Sequence, residues 1–177
     1  MLLLFSSTTR CNRAGARVAF KKDTMIRIAT LILFVFVTTQ IYAQETNYQK
    51  NLKLASDLFI AKSELPDSVL LKLVPDSYEE FELFYGTTYP DNKMQNTGFF
   101  YSVTQRIFDK VIIEKKEQFY LPSLQLASFA DGEFGEGFVD NLKVIIERDK
   151  NKFCTSIKGK EYTNHNPIRY YCEKYCK

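Results

Sequence analysis

The residues best suited to chemistry lie near the C-terminus of the sequence. His165 is the only histidine, and three of the four cysteines follow residue 150: Cys154, Cys172 and Cys176. Thiolates and an imidazole bind zinc, and Cys-x3-Cys is a permitted spacing for half of a zinc site. Cysteines of small proteins outside the reducing cytosol more often form disulfides. We therefore predict a disulfide here and keep zinc, held by all four residues, as the alternative.

Helical periodicity indicates which cysteine pairs with Cys154. Cys172 shares an apolar helical face with Ile168, whereas Cys176 lies nearer the end of the chain. A disulfide needs two α-carbons within roughly 4.4–6.8 Å, which an inward residue reaches more readily than a terminal one. We predict a Cys154–Cys172 disulfide, a free Cys176, and a His165 that faces solvent away from the sulfurs.

An acidic face is the second candidate for chemistry. Glu133, Glu136 and Asp140 follow one another at spacings of three and four, which places them on one side of a helix. Paired carboxylates can serve as general acid and base, or they can hold a hard cation. Acidic residues in a first helical turn also stabilise a helix by complementing its dipole. We favour this structural role and keep catalysis as the alternative.

A mixed basic and aromatic surface is the third candidate. Its members are Lys158, Lys160, Tyr162 and Arg169. Such surfaces bind nucleic acids or glycans, but a run of charge is more often a solvated face. We do not expect a nucleic-acid partner, because the basic balance of the whole chain comes from its first 43 residues, with six Lys or Arg residues against one acid.

Other catalytic patterns are missing from the sequence. Any Ser–His or Cys–His pair must use His165, and the flanking Asn164 and Asn166 are typical of a turn. No glycine-rich phosphate loop is present, and no pattern indicates a cofactor.

The elements that would position these residues are predicted to be helices. Apolar side chains recur at helical spacing after residue 44, and no alternating strand pattern competes. We expect an all-α fold, a compact bundle or helical array of about seven to eight short helices. The predicted helices cover 46–62, a short segment after Pro66, a segment from a cap at Asp76 to Gly86, 98–113, a segment from Pro122 to Asp131-Gly132, 133–149, a short segment around Phe153, and the segment after Asn166-Pro167.

Three of these helices carry specific expectations of burial. The helix after Asp76 should bury Tyr78 together with Phe81, and the helix over 133–149 should bury Phe138 and Leu142. The helix over 98–113 should have one apolar face, formed by Phe100, Val103, Ile107 and Val111.

The first part of the chain is predicted to be a leader. From Met25, a basic Arg27 precedes a short apolar run over 28–37 and a polar stretch that ends at Ala43. This is the layout of a secretory signal peptide cleaved between Ala43 and Gln44. The apolar run is too short for a helix that spans a membrane, which needs roughly 20 residues.

Residues 1–24 then need a separate explanation. We expect an extension ahead of the true start at Met25, with an organelle transit sequence as the alternative, because the segment is rich in Arg and Ser and poor in acids. This leaves one domain over 44–177, exported to a periplasm or to the exterior.

Two functions remain open from the sequence. The first is an exported, non-enzymatic helical module that binds an unknown protein or envelope component. The second is a small carboxylate- or metal-dependent enzyme that uses the face formed by Glu133, Glu136 and Asp140. A pocket into which these carboxylates point together would favour the second.

Overall fold

The computed structural model describes residues 45–130 and 135–176. These ranges form an all-helical structure with eight α-helices and no strand, which confirms the predicted fold class. The predicted segments 1–24 and 25–43 lie outside the described residues, so the leader stays a prediction. None of the described helices is long and apolar enough to cross a membrane.

The helices follow one another through short connections, three of which contain a turn of 3-10 helix. The α-helices are α1 (Asn47–Ile60), α2 (Asp67–Leu71), α3 (Tyr78–Tyr85), α4 (Phe99–Ile112), α5 (Tyr120–Ala127), α6 (Gly135–Arg148), α7 (Lys150–Ser156) and α8 (Ile168–Tyr175), and the 3-10 turns are Gly86–Thr88, Glu117–Phe119 and Glu161–Asn164.

Helix α4 forms the centre of the fold. It packs against α2, α5 and α6. Its predicted apolar face, which includes Phe100, Val103, Ile107 and Val111, is buried as expected. Since residues three and four apart share one side of a helix, this stripe can contact several neighbours at once.

Aromatic contacts join α4 to the helices around it. The ring of Phe100 meets that of Phe84 of α3 edge to face, with centroids 5.0 Å apart. Phe108 meets Phe138 of α6 in the same way at 5.3 Å. Edge-to-face pairs of this kind add to the stabilisation that burial alone provides. Phe138 and Leu142 are buried, as predicted.

The start of α3 differs from the prediction by one residue. Ser77, not Asp76, is the N-cap, and its hydroxyl accepts a hydrogen bond from the Glu80 amide at 3.2 Å. Asp76 is held outside the helix instead, where its carboxylate accepts from the Gln125 side chain at 2.9 Å. Tyr78 is the first residue of the helix, ahead of the buried Phe81 and Phe84. It is 65% exposed, so its predicted burial was wrong.

The boundaries of α5 also differ from the sequence-based expectation. Pro122 is the third residue of α5 and not the first, because the preceding 3-10 turn leads directly into Tyr120. The helix ends at Ala127, before the predicted stop at Asp131-Gly132, which lies outside the described residues.

Candidate functional site

The C-terminal cysteines form a disulfide, but with a different partner from the one predicted. Cys154 of α7 bonds to Cys176, with the α-carbons 5.3 Å apart, and Cys172 is the free thiol. The predicted Cys154–Cys172 pair was therefore wrong. The two helices meet where α8 ends, so a residue at the end of α8 reaches Cys154, and the half-buried Cys172 lies one turn earlier.

The zinc alternative has no geometric support. Two of its four residues, Cys154 and Cys176, use their sulfurs in the disulfide. His165 is exposed at the end of the 3-10 turn that precedes α8. Among the described residues, no group of three or more Cys, His, Asp or Glu side chains is arranged to hold a metal ion.

The acidic face is only partly described. Glu136 and Asp140 lie exposed on α6, and neither lines any of four prominent cavities on the described surface. Glu133 lies outside the described residues. The proposed pairing of these carboxylates therefore stays a prediction.

The predicted basic and aromatic residues separate into two groups. Lys160 and Tyr162 line an open depression of about 980 Å³, together with His165. Lys158 and Arg169 are exposed and do not line this depression. The four residues thus do not share one concave surface.

A different set of residues forms a compact groove between the C-terminal ends of α4 and α6. Its volume is about 240 Å³. The apolar floor consists of Val111 and Ile112 of α4, Val144 and Ile145 of α6, and the ring of Tyr120 at the start of α5. Four bases line the rim with two acids: Lys115, Lys116, Arg148 and Lys152 with Glu117 and Asp149. We call this surface the basic groove.

Both acids of the basic groove already have partners within the fold. Asp149 is the N-cap of α7, and its carboxylate accepts a hydrogen bond from the Lys152 amide at 2.8 Å. Glu117 forms an ion pair with the Lys152 side chain. The Lys152 ammonium also lies over the ring of Tyr120, 4.2 Å from its centroid, where a cation–π interaction is favourable.

Lys116 belongs to an ion network that fixes one wall of the groove. The Lys110 side chain, only 5% exposed, pairs with Asp67 at 3.0 Å and with Glu114 at 2.8 Å. Lys116 pairs with the same two carboxylates at 2.5 and 3.2 Å. Hydrogen bonds from these lysines lower the pKa of Asp67 and of Glu114. The closed network ties the first residue of α2 to the end of α4.

Lys115 and Arg148 are the two bases of the groove that form no ion pair within the described residues. Each donates instead to a carbonyl of the last turn of α4: Lys115 Nζ to Ile112 O, and Arg148 Nη1 to Val111 O at 3.3 Å. Both positive groups therefore lie at the C-terminal end of α4 and line the same groove.

The backbone of Lys115 is unusual for a side chain of this size. Its φ of 59° lies in the left-handed region, where residues other than glycine pay a steric cost. The chain turns back sharply here, and the Lys116 amide donates to Lys110 O at 2.8 Å. Glycine would adopt this backbone conformation with less steric strain than the lysine that is present.

Tyr120 lies beneath the groove and is almost fully buried. Burial, with the nearby Asp149 and Glu117 carboxylates, raises its pKa to about 12. Its hydroxyl has no hydrogen-bond partner among the described residues, and the same is true of the hydroxyl of Tyr162. Tyr120 therefore contributes its ring and not its hydroxyl to the floor of the groove.

Sequence reasoning missed the basic groove because its residues come from two distant segments, 111–120 and 144–152. The signal that was available is the pair of basic clusters at the ends of two predicted helices, Lys115 with Lys116 and Arg148 with Lys152. Bases at helix ends are ordinary, since they complement the helix dipole. Only the packing of α4 against α6 brings the two clusters together.

Comparison with protein-family models, with curated proteins and with solved structures finds no match for this chain.

Proposed function

We propose that this chain is an exported binding module, and that its basic groove holds an anionic group of an envelope component. The observation that carries the proposal is the pair of cations, Lys115 and Arg148, which line the same groove without a carboxylate partner in the described residues. A cleft whose lining carries an excess of charge of one sign attracts ligands of the opposite sign.

The arrangement of the groove supports binding over catalysis. A general base needs an available carboxylate or imidazole within hydrogen-bond reach of the substrate. Asp149 is used as a helix cap and Glu117 as an ion-pair partner. No observation favours the alternative of a carboxylate-dependent enzyme, since Glu136 and Asp140 lie exposed outside the groove.

Two features support export. The sequence from Met25 to Ala43 has the layout of a cleaved signal peptide. The Cys154–Cys176 disulfide is compatible with an oxidising compartment. Mass spectrometry of the protein recovered from the producing cells tests this point: the first residue should be Gln44. Recovery of chains that retain residues 28–43 would contradict it and favour an anchor.

Binding is tested by an NMR titration of the purified protein with sodium acetate. We expect saturable shifts of backbone amides that line the groove, and none with acetamide, which has the shape of acetate but no charge. The double variant K115Q/R148Q should lose these shifts. The matched control is K50Q/K53Q, which removes the same charge from exposed positions of α1 that line none of the four cavities.

Two results would overturn the proposal. One is an absence of groove-localised shifts in the unmodified protein. The other is an equal loss in both double variants, because this would mean that net charge alone, and not the groove, attracts the anion.

A further inference from the structure

The basic groove combines an aliphatic floor with positive charge at one rim. Val111, Ile112 and Val144 supply apolar surface, and Val144 remains about half exposed. A ligand that covers this apolar surface and removes it from water gains binding free energy. The positive charge and the apolar surface lie in one cavity, so a single ligand can pair with the charge and cover the apolar surface.

The two cations have donors to spare. An ammonium carries three N–H donors and a guanidinium carries five. Lys115 uses one donor on Ile112 O, and Arg148 uses one on Val111 O. A carboxylate that reaches both side chains can accept hydrogen bonds from their remaining donors, and such charge-assisted bonds are stronger than neutral ones.

The size of the groove limits its ligand. A volume of about 240 Å³ lies below the range of roughly 300–1,000 Å³ that holds drug-sized ligands. This volume fits a small ligand.

We infer that the basic groove binds a small aliphatic monocarboxylate, whose carboxylate lies between Lys115 and Arg148 and whose chain lies on the floor formed by Val111, Ile112 and Val144. This inference rests on the proposed function and narrows it from anions in general to amphiphilic carboxylates.

A purely structural role for the two cations makes a different prediction. Bases at a helix C-terminus can act only to satisfy its last carbonyls. In that case Lys115 would be needed for the stability of α4 and not for any ligand. The strained backbone of Lys115 allows the two roles to be separated, because glycine is better suited to its φ.

The first experiment varies the length of the ligand. The protein is titrated with butanoate, hexanoate and octanoate, and amide shifts are followed by NMR. Each buried methylene should tighten binding by about fourfold, so octanoate, if all four of its additional methylenes are buried, should bind on the order of a hundred times more tightly than butanoate. Hexan-1-ol, which has a chain but no charge, should bind at least tenfold more weakly than hexanoate.

The second experiment replaces one lysine. K115G should weaken octanoate binding by about tenfold and leave the melting temperature unchanged or raised. The matched control is K62G, because Lys62 also has a left-handed backbone, with φ 53°, and does not line the groove. K62G should bind octanoate as the unmodified protein does. A second variant, R148Q, should also weaken octanoate binding. Because this substitution leaves the turn at Lys115 unchanged, its effect cannot come from an altered backbone there.

The outcomes separate this inference from the proposed function. Equal affinity for butanoate and octanoate, with groove shifts in acetate, would overturn the inference and leave the proposed function standing. No groove shift with any carboxylate would overturn both. K115G with unchanged octanoate affinity, or binding only to phosphatidylglycerol vesicles and not to monomeric octanoate, would also overturn the inference.

Discussion

Tyr120 and Tyr162 each bury a phenol hydroxyl that has no hydrogen-bond partner within the described residues. An unsatisfied buried donor costs about 1–3 kcal/mol, so Y120F and Y162F should each raise the free energy of unfolding by about 1 kcal/mol. Urea denaturation measures this. The control is Y48F, since the Tyr48 hydroxyl donates to Leu73 O at 2.9 Å and its removal should destabilise the fold. Destabilisation by Y120F would show that an ordered water satisfies the hydroxyl.

The three cysteines after residue 150 should differ in their contributions to stability. C154S opens the bridge to Cys176 and should cost about 3 kcal/mol in the chain-entropy description of a loop of this length. C172S removes a half-buried free thiol and should cost less than about 1 kcal/mol. Peptide mapping without reduction should recover the Cys154–Cys176 linkage. Recovery of Cys154–Cys172 would contradict the observed pairing.

The reactivity of Cys172 follows from its surroundings. Burial raises the pKa of its thiol above the usual value. Since the thiolate is the nucleophile, we expect slow alkylation in the folded protein.

At the scale of elements, the ion network between α2 and α4 makes stability depend on pH. Asp67 and Glu114 have pKa values below their ordinary 3.8 and 4.5, because Lys110 and Lys116 donate hydrogen bonds to them. The unfolded chain therefore takes up protons first as the pH falls. The contribution of the network is complete above about pH 4.5 and is lost as the pH falls through the lowered values.

The measurement is the urea midpoint at about pH 6 and at about pH 3. The unmodified protein should lose more stability between the two conditions than D67N does. D57N is the control: the Asp57–Lys93 pair is more than half exposed on both sides, and such pairs contribute little. An equal pH dependence in D67N and in the unmodified protein would contradict the role of the network.

The helices could be predicted from the sequence where apolar periodicity was long and regular. The stripes of α4 and α6, with Val103 and Phe138 as examples, are buried as expected. The ends were less accurate, because Asp76 and Ser77 are adjacent and are both good caps. In the structure, Ser77 caps the helix, while the Asp76 side chain accepts a hydrogen bond from Gln125. Local preference alone does not decide between two adjacent caps.

At the scale of the whole molecule, the sequence could predict the fold class but not the site. The basic groove depends on where α4 and α6 end relative to each other, and no local pattern encodes that distance. Lys115 and Arg148 are more than 30 positions apart in the chain. The disulfide was missed for the same reason: its partner is set by the docking of α8 and not by which cysteine is more apolar.

The position of α8 gives the disulfide a use as a reporter of helix register. Cys172 and Cys176 are one turn apart, so exchanging them as partners of Cys154 requires α8 to slide by about 6 Å along its axis. We expect the burial of Ile168 and Tyr171 to favour one of these two registers, which is the one that pairs Cys154 with Cys176. I168A weakens that burial, so it should yield a mixture of Cys154–Cys176 and Cys154–Cys172 disulfides, each formed in a different register of α8.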